Sequence, residues 1–123
     1  MRFRAEQRIR RQGDFLNLRT NGRRHDCGAF LVVVALPSPD RGPHPTARLG
    51  VVASKAAVGI APLRNRAKRR LREAFRAHQQ LVPPEVDLLL IARRGINRLE
   101  YAAIERKFVD ACRKLFPTPR TDA

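Results

Sequence analysis

The sequence predicts an α+β domain: a small sheet of about four strands with helices packed on it, in the order α-β-β-(β)-α-β-α. Three observations carry this. Residues 29–36 and 86–92 are short apolar runs rich in Val, Leu and Ile, of strand length and bounded by turn residues. Residues 63–80 and 100–116 repeat apolar residues at helical spacing. The chain has 123 residues, 43% of them hydrophobic, which suits one domain with a real core. A single domain over residues 1–123 is expected, with an ordered core of about 8–116.

From the start, residues 1–12 are charged, with only Phe3 and Ile9 as apolar anchors, and are expected to run extended along the body. Gly13-Asp14 offers an N-cap, Phe15, Leu16 and Leu18 follow, and Asn21-Gly22 closes the turn, which predicts a short helix over 14–20. Residues 29–36 form a strand that ends at Pro37. Four prolines in 37–45 mark an exposed loop. Residues 48–54 form a second strand, expected to be the hairpin partner of the first. A connection with Gly59 leads to Pro62, suited to the first turn of a helix.

That helix, residues 63–80, is stopped by Pro83-Pro84. Leu63, Ala67, Leu71, Ala74 and Phe75 share one arc. Arg66, Lys68, Arg69, Arg70, Arg72 and Arg76 cover most of the rest, and Arg64 falls close to the apolar arc, which places it at the helix entry or beyond the sheet edge. Residues 86–92 read as a central strand, 93–99 as a basic loop, and 100–116 as an amphipathic helix with Tyr101, Ile104, Phe108, Cys112 and Leu115 on one stripe, ended by Pro117. No internal repeat is evident.

Charge narrows the function. The formal net charge is +15. Residues 1–24 carry net +6 and residues 64–76 another +6, so two short segments hold most of it. Such clustering favours a surface for a polyanion over generic solubility. A helix whose cations merely meet solvent would carry matching acids; residues 64–76 contain seven bases and one acid, Glu73, within reach of Arg69. Arginine outnumbers lysine there, and its planar fork binds phosphate bidentately and stacks on bases.

No catalytic set is legible. His25, His44 and His78 stand at no metal-ligand spacing, and no Gly-rich phosphate loop is present. Ser54-Lys55 at a strand end reads as a turn rather than a nucleophile and base. Cys27 and Cys112 lie far apart without a CxxC and read as small buried apolar residues of a reducing cytoplasm. The longest apolar run is too short to span a bilayer, and the N-terminus lacks the apolar core of a secretion signal.

At this point the residues resemble a known family. Arg64-Asn65-Arg66, then Lys68-Arg69 and Leu71-Arg72-Glu73, look like the signature helix of the bacterial ribonuclease P protein subunit. Gly50 to Lys55 with Gly59 resembles that family's strand and Ser-Lys loop, residues 88–93 its next strand, and Asp14-Phe15 with Gly22 its first helix. The resemblance covers about residues 8–116. It implies a left-handed βαβ crossover, against the usual right-handed default. It implies an accessory protein for a catalytic RNA that, with its own Mg²⁺, cleaves the 5′ leader from precursor tRNA in the cytoplasm. It implies RNA contacts from Arg64, Asn65, Arg66, Lys68, Arg69, Arg72 and Lys55, and a leader-binding cleft between the first helix and the sheet formed by Phe15, Arg11, Arg19 and Phe30. No metal site on the protein, membrane or small-molecule ligand is implied. Arg19 stands where many relatives have a second aromatic, Val33 where some have a tyrosine, and the loop from Lys55 to Gly59 is one residue longer than is common. The rival readings are a structural RNA-binding protein of ribosomal type without a processing role, and a membrane-active cationic protein, which the small Ala residues on the apolar arc disfavour.

Overall fold

The computed structural model describes residues 9, 12–36 and 47–116, with the side chains of 12–15 and 19 outside the description. The expectations for the N-terminal arm, the proline loop, the C-terminal tail and Arg11 therefore lie outside the described residues, as do the side chains of Phe15 and Arg19.

Helix α1 spans Gln12–Asn21, longer at its start than expected. Strands β1 (Arg23–Asp26), β2 (Phe30–Ala35) and β3 (Arg48–Val52) follow. A one-turn helix α2 (Lys55–Val58) then leads into α3 (Ala61–Ala77), β4 (Asp87–Ala92) and α4 (Tyr101–Leu115). The sheet order is β1-β2-β4-β3.

Two expectations change here. Strand β3 is not the hairpin partner of β2: β2 pairs antiparallel with β1 and with β4, and β3 pairs parallel with β4. The reason is burial. Four of the six β4 residues are almost fully enclosed leucines and an alanine, and only the centre of the sheet covers both faces of such a strand. The hairpin partner is instead Arg23-Arg24-His25-Asp26, a strand without apolar alternation and so silent to a periodicity reading. Its turn is made by Gly28 at φ 83°, whose N–H donates to Asp26 Oδ1 (2.7 Å).

Alternation along β2 splits the interior in two. Phe30, Val32 and Val34 join Leu49, Leu88 and Leu90 beneath α3 and α4, against Leu71, Phe75, Ile104 and Phe108. Leu31, Val33 and Ala35 join Leu89 on the opposite face, under Leu18 of α1 and beside Ile9. The Ile9 N–H donates to the Leu49 carbonyl (2.9 Å), so Ile9 covers the outer edge of β3 at that point. Each fully enclosed Leu, Phe or Ile in these layers contributes about 1.5–3 kcal/mol by leaving water.

Helix α3 begins two residues earlier than expected, which puts Pro62 in its first turn, and buries Ala67, Leu71, Ala74 and Phe75. Leu63 is 40% exposed, because the helix entry projects past the sheet. The helix stops at Ala77 rather than 80, where the chain tightens into a 3-10 turn over Gln79–Leu81. The basic loop of 93–99 contains a second 3-10 turn, Ile96–Arg98.

Candidate nucleic-acid interface

Docking the Ala67–Phe75 arc on the sheet turns the other side of α3 outward. Asn65, Arg66 and Arg69 are exposed and Lys68 is half-buried along its stem. Among the described residues, Arg66, Lys68 and Arg69 have no carboxylate partner. The one acid of the segment is spoken for, and not by Arg69 as its spacing suggested. Glu73 takes a two-pronged pair from Arg76, with Nε to Oε1 at 2.6 Å and Nη2 to Oε2 at 3.0 Å. The hydrogen bonds from Arg76 hold the Glu73 carboxyl below its ordinary pKa, and Glu73 in turn raises that of Arg76.

The remaining bases of α3 divide by what they touch. Arg70 points to the protein, donating to the carbonyls of Leu99 and Ile96 and so tying α3 to the loop before α4. Its pKa is lowered by burial and by the neighbouring Arg66 cation. Arg72 is half-buried and makes contacts within the protein. Arg64, in the first turn, is half-buried, with its Nε enclosed and unpartnered. Lys55 is exposed at the start of α2, whose cap is Ser54: the Oγ accepts from the Ala57 N–H at 3.1 Å. That hydrogen bond is the work of the Ser54 hydroxyl, in keeping with a turn.

The signature residues are therefore brought to one end and one outward side of α3, with Lys55 just ahead of them. The residues expected to form a leader cleft between α1 and the sheet are not all brought together. Phe30 does not lie between α1 and the sheet. Its side chain has no exposed surface and lies in the core beneath α3 and α4, on the sheet face opposite α1. Strand alternation forces this, since the residues facing α1 are Leu31, Val33 and Ala35. Val33 is on the α1 side, 2% exposed. Phe15 and Arg19 belong to α1 by backbone.

Two cations that the sequence reading did not single out join the interface. Arg94 and Arg98 are exposed in the loop of 93–99. That loop is clasped to the first turn of α3 by Asn97, whose Nδ2 donates to the Leu63 carbonyl at 3.0 Å. The loop's basic run was visible; its place beside α3 was not, because over 30 residues separate the two. Arg93 is otherwise engaged, pairing with Asp26 at 2.7 Å.

The outward groups of this surface are cations, which suit phosphate and repel a metal ion. Among the described residues no group of three or more His, Cys, Asp and Glu could hold a metal. His78 is paired with Glu105 (2.8 Å) between the end of α3 and α4. No helix of the described residues is long and apolar enough to cross a membrane.

Residues 3–116 match the family model described as Ribonuclease P. The chain is 36% identical over 110 residues to the ribonuclease P protein component of Desulfovibrio desulfuricans, covering 88% of this chain and 82% of the relative. It is 37% identical over 117 residues to that of Streptomyces avermitilis, covering 90% and 93%. Among solved structures, the RNase P protein of Staphylococcus aureus superposes with a TM-score of 0.72 at 26% identity, covering 90% of this chain and 95% of that one. The RNase P protein from Thermotoga maritima superposes with a TM-score of 0.73 at 25% identity, covering 87% and 96%.

Proposed function

The chain belongs to the ribonuclease P protein family, and on that footing we propose that it is the accessory subunit of a ribonucleoprotein that removes the 5′ leader of precursor tRNA. The observation that carries the reading is the unpaired cationic side of α3: Arg66, Lys68 and Arg69 are held outward by a helix anchored on the core, with no carboxylate of the described protein to satisfy them. Such a surface binds phosphates and releases their counterions. Family membership favours tRNA processing over a structural RNA binder of ribosomal type.

In this reading the protein works by position and charge. Asn65, Arg66, Lys68 and Arg69 meet the catalytic RNA, with Arg64 and Arg72 beside them and Lys55 at the near end. Phosphodiester hydrolysis belongs to the RNA and its Mg²⁺, and the protein lowers the Mg²⁺ needed by screening one RNA from the other. The leader lies along the α1 side of the sheet, where Phe15, Arg11 and Arg19 are candidates to meet it and Phe30 is not. The compartment is the cytoplasm.

Reconstitution tests the reading. Catalytic RNA and a precursor tRNA are mixed at low Mg²⁺ with and without the full chain, and the cleaved leader is quantified. Faster cleavage with the chain supports the reading. Binding of the RNA without any gain in cleavage would leave the structural RNA binder instead.

A further inference from the structure

Beside the signature helix lies a cavity that the cationic side of α3 does not use. It has a volume of about 250 Å³ and is lined by residues of α2, the α3 entry and the loop of 93–99. That is below the roughly 300 Å³ at which drug-sized ligand sites begin, and suits a single planar ring system. Its lining combines two chemistries. Val58, Leu63 and Ile96 supply apolar wall, with Ile96 buried and Leu63 partly open to solvent. Arg94 and Arg98 are exposed at its mouth, without a carboxylate partner among the described residues.

A third feature fixes the loop in place. Asn97 lines the cavity, and its amide is half satisfied: Nδ2 donates to the Leu63 carbonyl, while Oδ1 is sealed from water and accepts nothing. Among the described residues only two such side-chain atoms occur, and both belong to this corner: Asn97 Oδ1, clasped to the first turn of α3, and Arg64 Nε within that turn. Gly95, at φ 89°, sets the loop so that Arg94 and Asn97 both reach the cavity.

An apolar slot of ring size and two arginines without carboxylate partners at its mouth are complementary to one nucleotide. We propose that this cavity receives a single unpaired nucleotide of the RNA partner, with its base against Val58, Leu63 and Ile96 and its phosphate between Arg94 and Arg98. The site rests on the RNA-binding reading above but adds a base contact to a surface otherwise suited to phosphate alone.

Two measurements test it on the full chain. In the first, backbone amide resonances are followed while adenosine 5′-monophosphate or ribose 5-phosphate is titrated in. The nucleotide should shift Gly95, Ile96 and Asn97, and the baseless sugar phosphate should shift them much less. Equal shifts from both, or shifts from neither, overturn the base site. In the second, Ala57→Leu fills the cavity from its α2 wall. Affinity for the catalytic RNA should fall by about fivefold or more at an unchanged salt slope, because a base contact and no phosphate contact is lost. The double variant Arg94→Ala with Arg98→Ala should instead lower the slope by about one. Unchanged affinity in folded Ala57→Leu overturns the proposal, and if that variant does not fold, the titration decides alone. Nucleotide binding by a chain that fails to stimulate cleavage would sink the ribonuclease reading and leave this site standing.

Discussion

Asp87 grips Arg48 through two hydrogen bonds, Nε to Oδ1 at 2.8 Å and Nη2 to Oδ2 at 2.5 Å, across the first rung of the parallel β3–β4 ladder. Both side chains are buried, at 6% and 0% exposure. By strand alternation they lie on the α1 side of the sheet, next to Ala35. A buried pair of this kind does more to choose a register than to add stability, since desolvation offsets most of the Coulomb gain.

Removing one partner should therefore cost far more than removing both. Asp87→Ala removes both carboxylate hydrogen bonds from a buried guanidinium and is expected to lower unfolding free energy by about 3–5 kcal/mol in urea titration. The double variant Arg48→Met with Asp87→Leu should recover most of that loss. Equal losses in single and double variants would show that the pair itself supplies the stability.

Arg66→Ala and Arg69→Ala should each weaken binding to the catalytic RNA and reduce the slope of log K against log salt by about one. The motivation is their exposure without carboxylate partners among the described residues. Binding isotherms at several salt concentrations decide the matter, and unaltered slopes in both variants would remove these residues from the interface.

Arg70 sits in the same basic run yet should behave in the opposite way. It holds the carbonyls of Leu99 and Ile96, so Arg70→Ala is expected to destabilise the fold by about 1.5–3 kcal/mol, typical of hydrogen bonds to a charged group. Its salt slope for RNA should stay at the wild-type value. A lowered slope with intact stability would move Arg70 to the RNA side.

Gly22 is required for space rather than for backbone freedom. A Cβ there would stand 2.3 Å from the Leu18 carbonyl oxygen and 2.5 Å from Val33 Cγ1. Gly22→Ala should loosen α1 from the α1 side of the sheet. The expected readouts are a lower melting temperature and faster amide exchange in α1, with α3 and α4 protected as before.

Burial raises the Cys27 thiol to about 11 and the Cys112 thiol to about 12, from an ordinary value of 9.0. Both folded values lie above the unfolded one, so this contribution to stability is complete below about pH 9 and is lost as pH rises through 11 and 12. The native protein should also resist thiol alkylation at neutral pH and react fully once unfolded. Rapid native-state labelling of either cysteine would contradict their burial.

Local patterning alone was enough for helices α3 and α4, strands β2, β3 and β4, and the cationic side of α3. Each is a periodicity or an apolar run contained within one segment, and Arg66, Lys68 and Arg69 face outward because the apolar arc has only one place to go. Tertiary structure decided the rest. It gave the polar strand β1 its place beside β2, made β3 parallel to β4, and put Phe30 in the core under α3 and α4. It also turned Arg70 inward, matched Glu73 to Arg76, and carried Arg94, Asn97 and Arg98 to the entry of α3. These are contacts between distant segments. Hydrophobic period states which side of an element is buried, but only the packed chain states what it is buried against.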